Sequence, residues 1–338
     1  MLGPMRTSRG LAWAASCVTA IVACGEYQGI EEPTPAPVCC SPNPGDPDAT
    51  VGAPEVPHDA GADAPGETRL CTADEPFVRT AQIELCGDQP VGGIALTANE
   101  LGAFVACGPS LHFVSRPTKD VPFAGDIDKA LFEGSDPALG GNDTLLYYTA
   151  RVSLDGGAPL PFVSVARLQA PPTADAPVSF AKNDFVRMAS GDALSGLRPF
   201  PSPSGNELYY TGAYAVADAG EGVTAFGLAR AAVDAADPYQ SLSTERVRVT
   251  GISDTVNVSS PVLGPGALDL YFSRAEGRNA AIQRSRNEAG AWAAPVELAG
   301  LPSATRSTDV PRWISADGCR LYFTRGRVGT SALWIAER

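Results

Sequence analysis

Along most of this chain apolar and polar residues alternate in short runs, and one run returns four times: Leu146-Tyr147-Tyr148-Thr149, Leu208-Tyr209-Tyr210-Thr211, Leu270-Tyr271-Phe272-Ser273 and Leu321-Tyr322-Phe323-Thr324. A hydrophobic period of two, bounded by Gly, Pro, Asn and Asp, predicts strands. The second aromatic falls at 148, 210, 272 and 323, spaced 62, 62 and 51 residues apart. That interval is long enough for a multi-stranded unit. Each unit reads as a Pro-led strand (Pro137, Pro199, Pro261, Pro311), a tight turn such as Ser204-Gly205-Asn206 or Ala316-Asp317-Gly318, and the aromatic strand. A third strand follows at 162–168, 224–231, 280–285 and 331–337, and a fourth, Pro-containing one is visible as Trp292 to Leu298. A diverged earlier copy runs from Gly93 to Val105 and on through Leu111 to Val114.

Five such units predict an all-β propeller of five four-stranded blades, or six if residues 71–92 supply much of another. The last copy has only three strands of its own, which leaves an unpaired edge. The segment from Phe77 to Leu85 is expected to cover that edge and close the ring.

At 338 residues with 44% hydrophobic composition, the chain can bury one large domain and still carry an appendage. The appendage is N-terminal. Arg6 and Arg9 precede an apolar stretch from Leu11 to Ala23, too short to span a bilayer and read as an export signal over residues 1–23. Its end, Ile21-Val22-Ala23-Cys24, resembles the bacterial lipobox: aliphatic at −3, small at −1, then a thiol able to take a diacylglycerol. The resemblance implies that Cys24 becomes a lipidated N-terminus, which places the protein in the bacterial cell envelope with the membrane as its first partner. Gly25 in place of Asp favours the outer membrane. Residues 24–70 are rich in Pro, Ala, Gly, Asp and Glu, a composition that cannot form a core and reads as a disordered tether.

Besides the lipidated Cys24, removal of the signal leaves Cys39, Cys40, Cys71, Cys86, Cys107 and Cys319. In an exported protein these are disulfide candidates, and Cys71 with Cys86 is the expected local bridge. No CxxC pair or neighbouring His accompanies them, so no metal is expected, and nothing calls for a cofactor. The net charge of −13, with no basic cluster visible in the sequence, argues against nucleic acid as a partner.

The segment Pro311-Arg312-Trp313-Ile314-Ser315-Ala316-Asp317-Gly318-Cys319-Arg320-Leu321-Tyr322-Phe323-Thr324-Arg325, followed by Ala332-Leu333-Trp334-Ile335-Ala336-Glu337-Arg338, resembles the WD40-like (PD40) propeller repeats of the TolB type. The other copies are degenerate at the Ser-x-Asp-Gly turn. The resemblance covers about residues 76–338 and implies the propeller fold, envelope placement and protein binding on a propeller face. The separate α/β domain of TolB has no counterpart in this sequence.

Catalytic chemistry is sparsely represented. The two histidines, His58 and His112, lie in the tether and in an apolar strand, and no Gly-x-Ser-x-Gly elbow exists for a hydrolase triad. A glycosidase would need only carboxylates converging in the central channel. Asp136 and Asp309, close before the Pro residues of innermost strands, are the candidate channel-facing acids, although the matching positions in other copies hold Arg198 and Ser260. Asp126 and Asp128 read as a solvated turn more than as a calcium loop. The sequence therefore favours a membrane-anchored propeller acting as a non-catalytic protein- or glycan-binding platform, with a carbohydrate-active hydrolase or lyase as the alternative.

Overall fold

The structure is a computed structural model that describes residues 70–338 apart from 125–126, 128, 154–155, 174–177, 216–223, 235, 238–240, 245, 253–256, 277–278, 303–306 and 328. The export signal, Cys24, Cys39, Cys40 and His58 thus lie outside the described residues, as do Asp126 and Asp128.

The described residues form five four-stranded units. Strand β1 (Arg79–Ile83) comes first in sequence but belongs to the last unit. The first unit is β2 (Val91–Leu96), β3 (Gly102–Cys107), β4 (Ser110–Ser115) and β5 (Phe132–Glu133). The second is β6 (Ser135–Gly140), β7 (Leu145–Val152), β8 (Leu160–Leu168) and β9 (Phe180–Phe185); the third is β10 (Leu197–Pro201), β11 (Glu207–Ala215), β12 (Thr224–Ala232) and β13 (Val247–Arg248). In the fourth, β14 (Val258–Leu263), β15 (Asp269–Glu276) and β16 (Asn279–Glu288) are completed by two short strands, β17 (Ala291–Trp292) and β18 (Val296–Glu297), that share the outer position. The fifth is β19 (Thr308–Ile314), β20 (Arg320–Gly326) and β21 (Ala332–Glu337), with β1 on its outer edge. The fourth and fifth units touch through one parallel pair, Ala280 with Thr308.

The innermost strands β2, β6, β10, β14 and β19 follow one another in order, and β19 returns to β2, so the units close into a propeller ring. Closure occurs as the sequence predicts: β1 pairs antiparallel with β21 from Arg79 opposite Glu337 to Ile83 opposite Leu333.

The repeated aromatic pair explains what holds neighbouring blades together. Successive residues of a strand point to opposite faces, so the two rings of each pair enter different cores. Tyr147, Tyr209, Tyr271 and Tyr322 pack toward the following blade, Tyr322 reaching the first one. Tyr148, Tyr210, Phe272 and Phe323 pack toward the preceding blade. All eight rings are buried, each burial being worth roughly 1.5–3 kcal/mol. Gly134 and Gly196 make room for two of them: a Cβ there would lie 2.6 Å from Tyr148 and 2.9 Å from Tyr210.

The hydroxyl that follows each of the first three pairs latches the next blade. Thr149 Oγ1 accepts the Arg198 backbone N–H at 3.0 Å, Thr211 Oγ1 accepts that of Ser260 at 2.9 Å, and the Ser273 hydroxyl donates to the Asp309 carbonyl at 2.8 Å. The Ser-x-Asp-Gly turn has an equally local logic. Asp317 Oδ1 accepts from the Cys319 N–H at 2.9 Å, Ser315 Oγ accepts from the Arg320 N–H at 2.9 Å, and Gly318 adopts φ +73°. The diverged first copy builds the same turn from Thr97 and Asn99, with Glu100 at φ +62° where Gly stands in the last copy. Glu100 is buried, and Arg320 of the fifth blade, at 2.8 Å, ties this turn across the ring seam.

The cysteines correct the sequence reading. Cys71 bonds Cys319, not Cys86, and Cys86 bonds Cys107. Closing the ring carries the residues before β1 onto the last blade, where the Cys71 N–H also donates to the Asp317 carbonyl at 2.9 Å. Cys86 instead enters the core between the fifth and first blades. The first bridge joins residues 248 apart, so on the chain-entropy model it restrains the unfolded chain by up to about 5 kcal/mol. Non-reducing peptide mapping is expected to recover Cys71–Cys319 and Cys86–Cys107, and the C71S/C319S variant to melt at least about 5 °C lower. A Cys71–Cys86 peptide would overturn this pairing.

Candidate functional site at the channel mouth

Every innermost strand carries a β-bulge, where its register with the second strand slips between Val91 and Gly93, Ser135 and Ala138, Leu197 and Phe200, Ser259 and Val262, and Pro311 and Trp313. Bulges re-aim side chains and end regular pairing. Here they gather Asp136, Arg198, Ser260 and Arg312 around one small axial cavity. The first three have φ of +52°, +55° and +59°, a left-handed conformation costly for residues other than Gly. Pro is tolerated beside them because an innermost strand has a free edge on the channel.

Asp136 lies between two guanidiniums. Arg312 Nη1 donates to its Oδ1 at 2.5 Å, Arg198 Nε is 3.6 Å from the same oxygen, and the Ser135 hydroxyl donates to Oδ2 at 2.9 Å. Burial pushes this carboxyl up, but the two arginines and the serine outweigh it and hold Asp136 below the ordinary carboxylate range. On the partner, burial outweighs Asp136 and pushes Arg312 down to about 10, still protonated at neutral pH. Arg312 is fixed a second time by donation from Nε to Thr324 Oγ1 at 3.0 Å, and Arg198 by donation to Ser259 Oγ at 2.7 Å.

Asp309 does not face the channel, which corrects the sequence expectation. Thr308, Val310 and Arg312 of β19 line the larger cavity, so strand alternation turns Asp309 to the opposite face. There it sits opposite Arg325 on β20, which donates to both of its oxygens at 2.8 and 2.6 Å. The structure therefore brings Asp136 to the channel and commits Asp309 to a buried bidentate pair inside its own blade. His112, the described histidine, is buried in β4.

Where the innermost strands begin, two concavities open side by side. The larger, about 450 Å³, is lined by Asp136, Glu133, Arg151, Arg198, Arg312 and Arg327 together with small and apolar residues from the first, second and fifth blades. The smaller, about 270 Å³, is lined by Phe226, Asn257, Asn279, Ser259, Ser273 and Thr211 among others. Arg198 and Thr308 border both, so the two are lobes of one cleft. In the first lobe four arginines face two carboxylates, an excess of two positive charges in a chain whose net charge is −13. This basic cluster escaped the sequence reading because its members stand at 151, 198, 312 and 327. Only the ring brings them together, and the matching of Arg198 with Asp136 was the one visible hint. Among the described residues, no three His, Cys, Asp or Glu side chains group as metal ligands.

No protein-family model and no curated protein matches the chain. Solved structures do. A β-xylosidase designated RS223 aligns with a TM-score of 0.51 at 11% identity, covering 77% of this chain and 94% of its own. A GH43_1 enzyme from Xanthomonas citri gives 0.49 at 11% identity over 77% of this chain and 91% of that one. A putative TolB from Agrobacterium tumefaciens gives 0.38 at 11% identity over 70% of each chain. At such identities the likeness concerns the propeller fold alone.

Proposed function

We propose that the protein is an envelope lipoprotein, tethered through Cys24, whose propeller binds ligand in the channel-mouth cleft without cleaving it. The observation that carries this reading is the state of Asp136. A glycosidase needs one carboxyl that keeps its proton near neutral pH and a second, ionised one with an oxygen open to water or sugar; Asp136 is pulled away from the first role, and for the second its oxygens are already occupied by Arg312, Arg198 and Ser135. A two-lobed cleft with fixed polar groups is the usual form of a binding site. The hydrolase or lyase reading has the fold likeness to glycoside hydrolases in its favour, but it lacks an available channel acid among those picked from the sequence.

Cross-linking of tagged full-length protein in its native envelope, followed by mass spectrometry, is expected to recover a specific protein or glycan. Incubation with polysaccharides is expected to release no new reducing ends. Release that disappears in Asp136→Asn would establish the enzyme instead. The anchor has an independent check: Cys24→Ser is expected to shift the protein from the membrane fraction to the soluble one, and continued membrane fractionation would rule out lipidation.

A further inference from the structure

Resting on the binding reading above, we infer that the cleft takes an acidic oligosaccharide, with a uronate carboxylate against Arg151 and Arg327 and a neighbouring sugar ring against Phe226. The first lobe supplies the charge argument. Asp136 offsets one of the two guanidiniums beside it, and Glu133 offsets one more charge. The side chains of Arg151 and Arg327 are exposed and have no ion pair among the described residues. Their charge is therefore uncompensated inside a concave wall, in a protein that is otherwise strongly acidic. A guanidinium presents a fork of N–H donors that matches a carboxylate, and low-dielectric walls strengthen its field on an incoming anion.

The second lobe decides what carries the carboxylate. Phe226 lines this lobe and is 42% exposed, so its ring offers an apolar face to a bound ligand. Apart from Arg198 at the junction with the first lobe, the polar groups around it are neutral amides and hydroxyls: Asn257, Asn279, Ser259, Ser273, Thr211 and Thr308. Several of these have one partner and spare capacity for another. Asn257 Oδ1 accepts the Phe226 N–H at 3.0 Å and leaves its amide donors available, while Ser259 Oγ accepts from Arg198 and keeps its own proton. A flat apolar ring framed by neutral donors and acceptors suits a pyranose, which has an apolar C–H face and a rim of hydroxyls. An acidic peptide would satisfy the arginines, and its backbone could bond the same amides and hydroxyls, but its carboxylate-bearing side chains present no flat C–H face to Phe226. The two lobes meet at Arg198 and Thr308, so one short oligosaccharide reaches both.

The test is isothermal titration of the full-length protein with a galacturonic-acid trisaccharide, its methyl ester and a neutral galactose trisaccharide. The acid form is expected to bind, and the ester and the neutral sugar to bind at least about tenfold more weakly, the scale of one lost charge-assisted hydrogen bond. The R151Q/R327Q variant is expected to lose the acid preference at an unchanged melting temperature, and Phe226→Ala to weaken all three ligands together. Equal affinity for acid, ester and neutral sugar would overturn the acidic assignment and leave the binding platform standing. Arginine-dependent binding of a poly-glutamate peptide with no binding of the trisaccharides would overturn the glycan assignment, as would no binding of the acid trisaccharide. Shortened saccharides after incubation would overturn the platform reading itself.

Discussion

A chain lacking residues 76–86 is expected to lose its cooperative melt and to associate through its open edge, because this segment supplies the outer strand of the last blade. Its loss would remove the five-residue ladder from Arg79 to Ile83 along β21, and with it the bond from the Val78 N–H to the Glu337 carbonyl at 2.8 Å. It would also remove Phe77, which is 2% exposed and packs with Tyr271, Leu298 and Phe323 in the core between the fourth and fifth blades. Three further contacts fix that residue: its backbone N–H donates to the Ala299 carbonyl at 3.1 Å, the Arg338 guanidinium lies 4.7 Å over its ring, and Gly300 passes at φ +84° where a Cβ would meet the Phe77 backbone carbonyl. Phe77→Ala alone is expected to cost about 3–5 kcal/mol, which for a domain of this size lowers the melting temperature by about 10 °C. Thermal melts followed by circular dichroism would measure both changes. Unaltered melting of the deletion would mean that the ring closes without its N-terminal strand.

That closure was legible because it follows from counting strands: the last copy supplied three, and an uncovered edge had to pair with something. The alternation Leu-Tyr-Tyr-Thr was legible for a similar reason, since a period of two states which residues face each neighbouring blade. The cysteine pairing was lost by treating the bridge as a local matter. Placing Phe77 on the last blade already implied that Cys71, six residues earlier, lies near Cys319 and far from Cys86. Asp309 was misread because its nearness to Pro311 was weighed above the alternation that turns it away from Thr308 and Val310. The arginine-lined lobe lay beyond sequence reasoning, because four residues spread from 151 to 327 become neighbours only when blades from both ends of the domain meet around an axis.

The Asp136–Arg312 pair is expected to show strong coupling in a double-mutant cycle. Both side chains are largely buried, at 12% and 9% exposure, so removing one leaves the other as an uncompensated charge. Asp136→Ala leaves two guanidiniums, Arg312 and Arg198, facing each other across the axis, and should cost about 3–5 kcal/mol in chemical denaturation. Arg312→Met should cost a comparable amount by stranding the carboxylate, although Arg198 at 3.6 Å retains part of the attraction. The double variant should cost clearly less than the two single costs combined, since no stranded charge of the pair remains. Strict additivity would mean that the pair does not interact as its geometry implies. The pH dependence follows from the same contacts. The folded Asp136 carboxyl titrates below its unfolded counterpart, so its stabilisation is complete above the ordinary carboxylate pKa of about 4 and is lost as pH falls through the lower folded value. Wild-type protein should therefore lose stability on acidification from pH 5 toward pH 2, and Asp136→Ala should show a shallower loss over that window. An identical acid limb in the two proteins would remove Asp136 from the account of acid stability and would weaken the argument that its carboxylate is held by arginine rather than free for proton transfer.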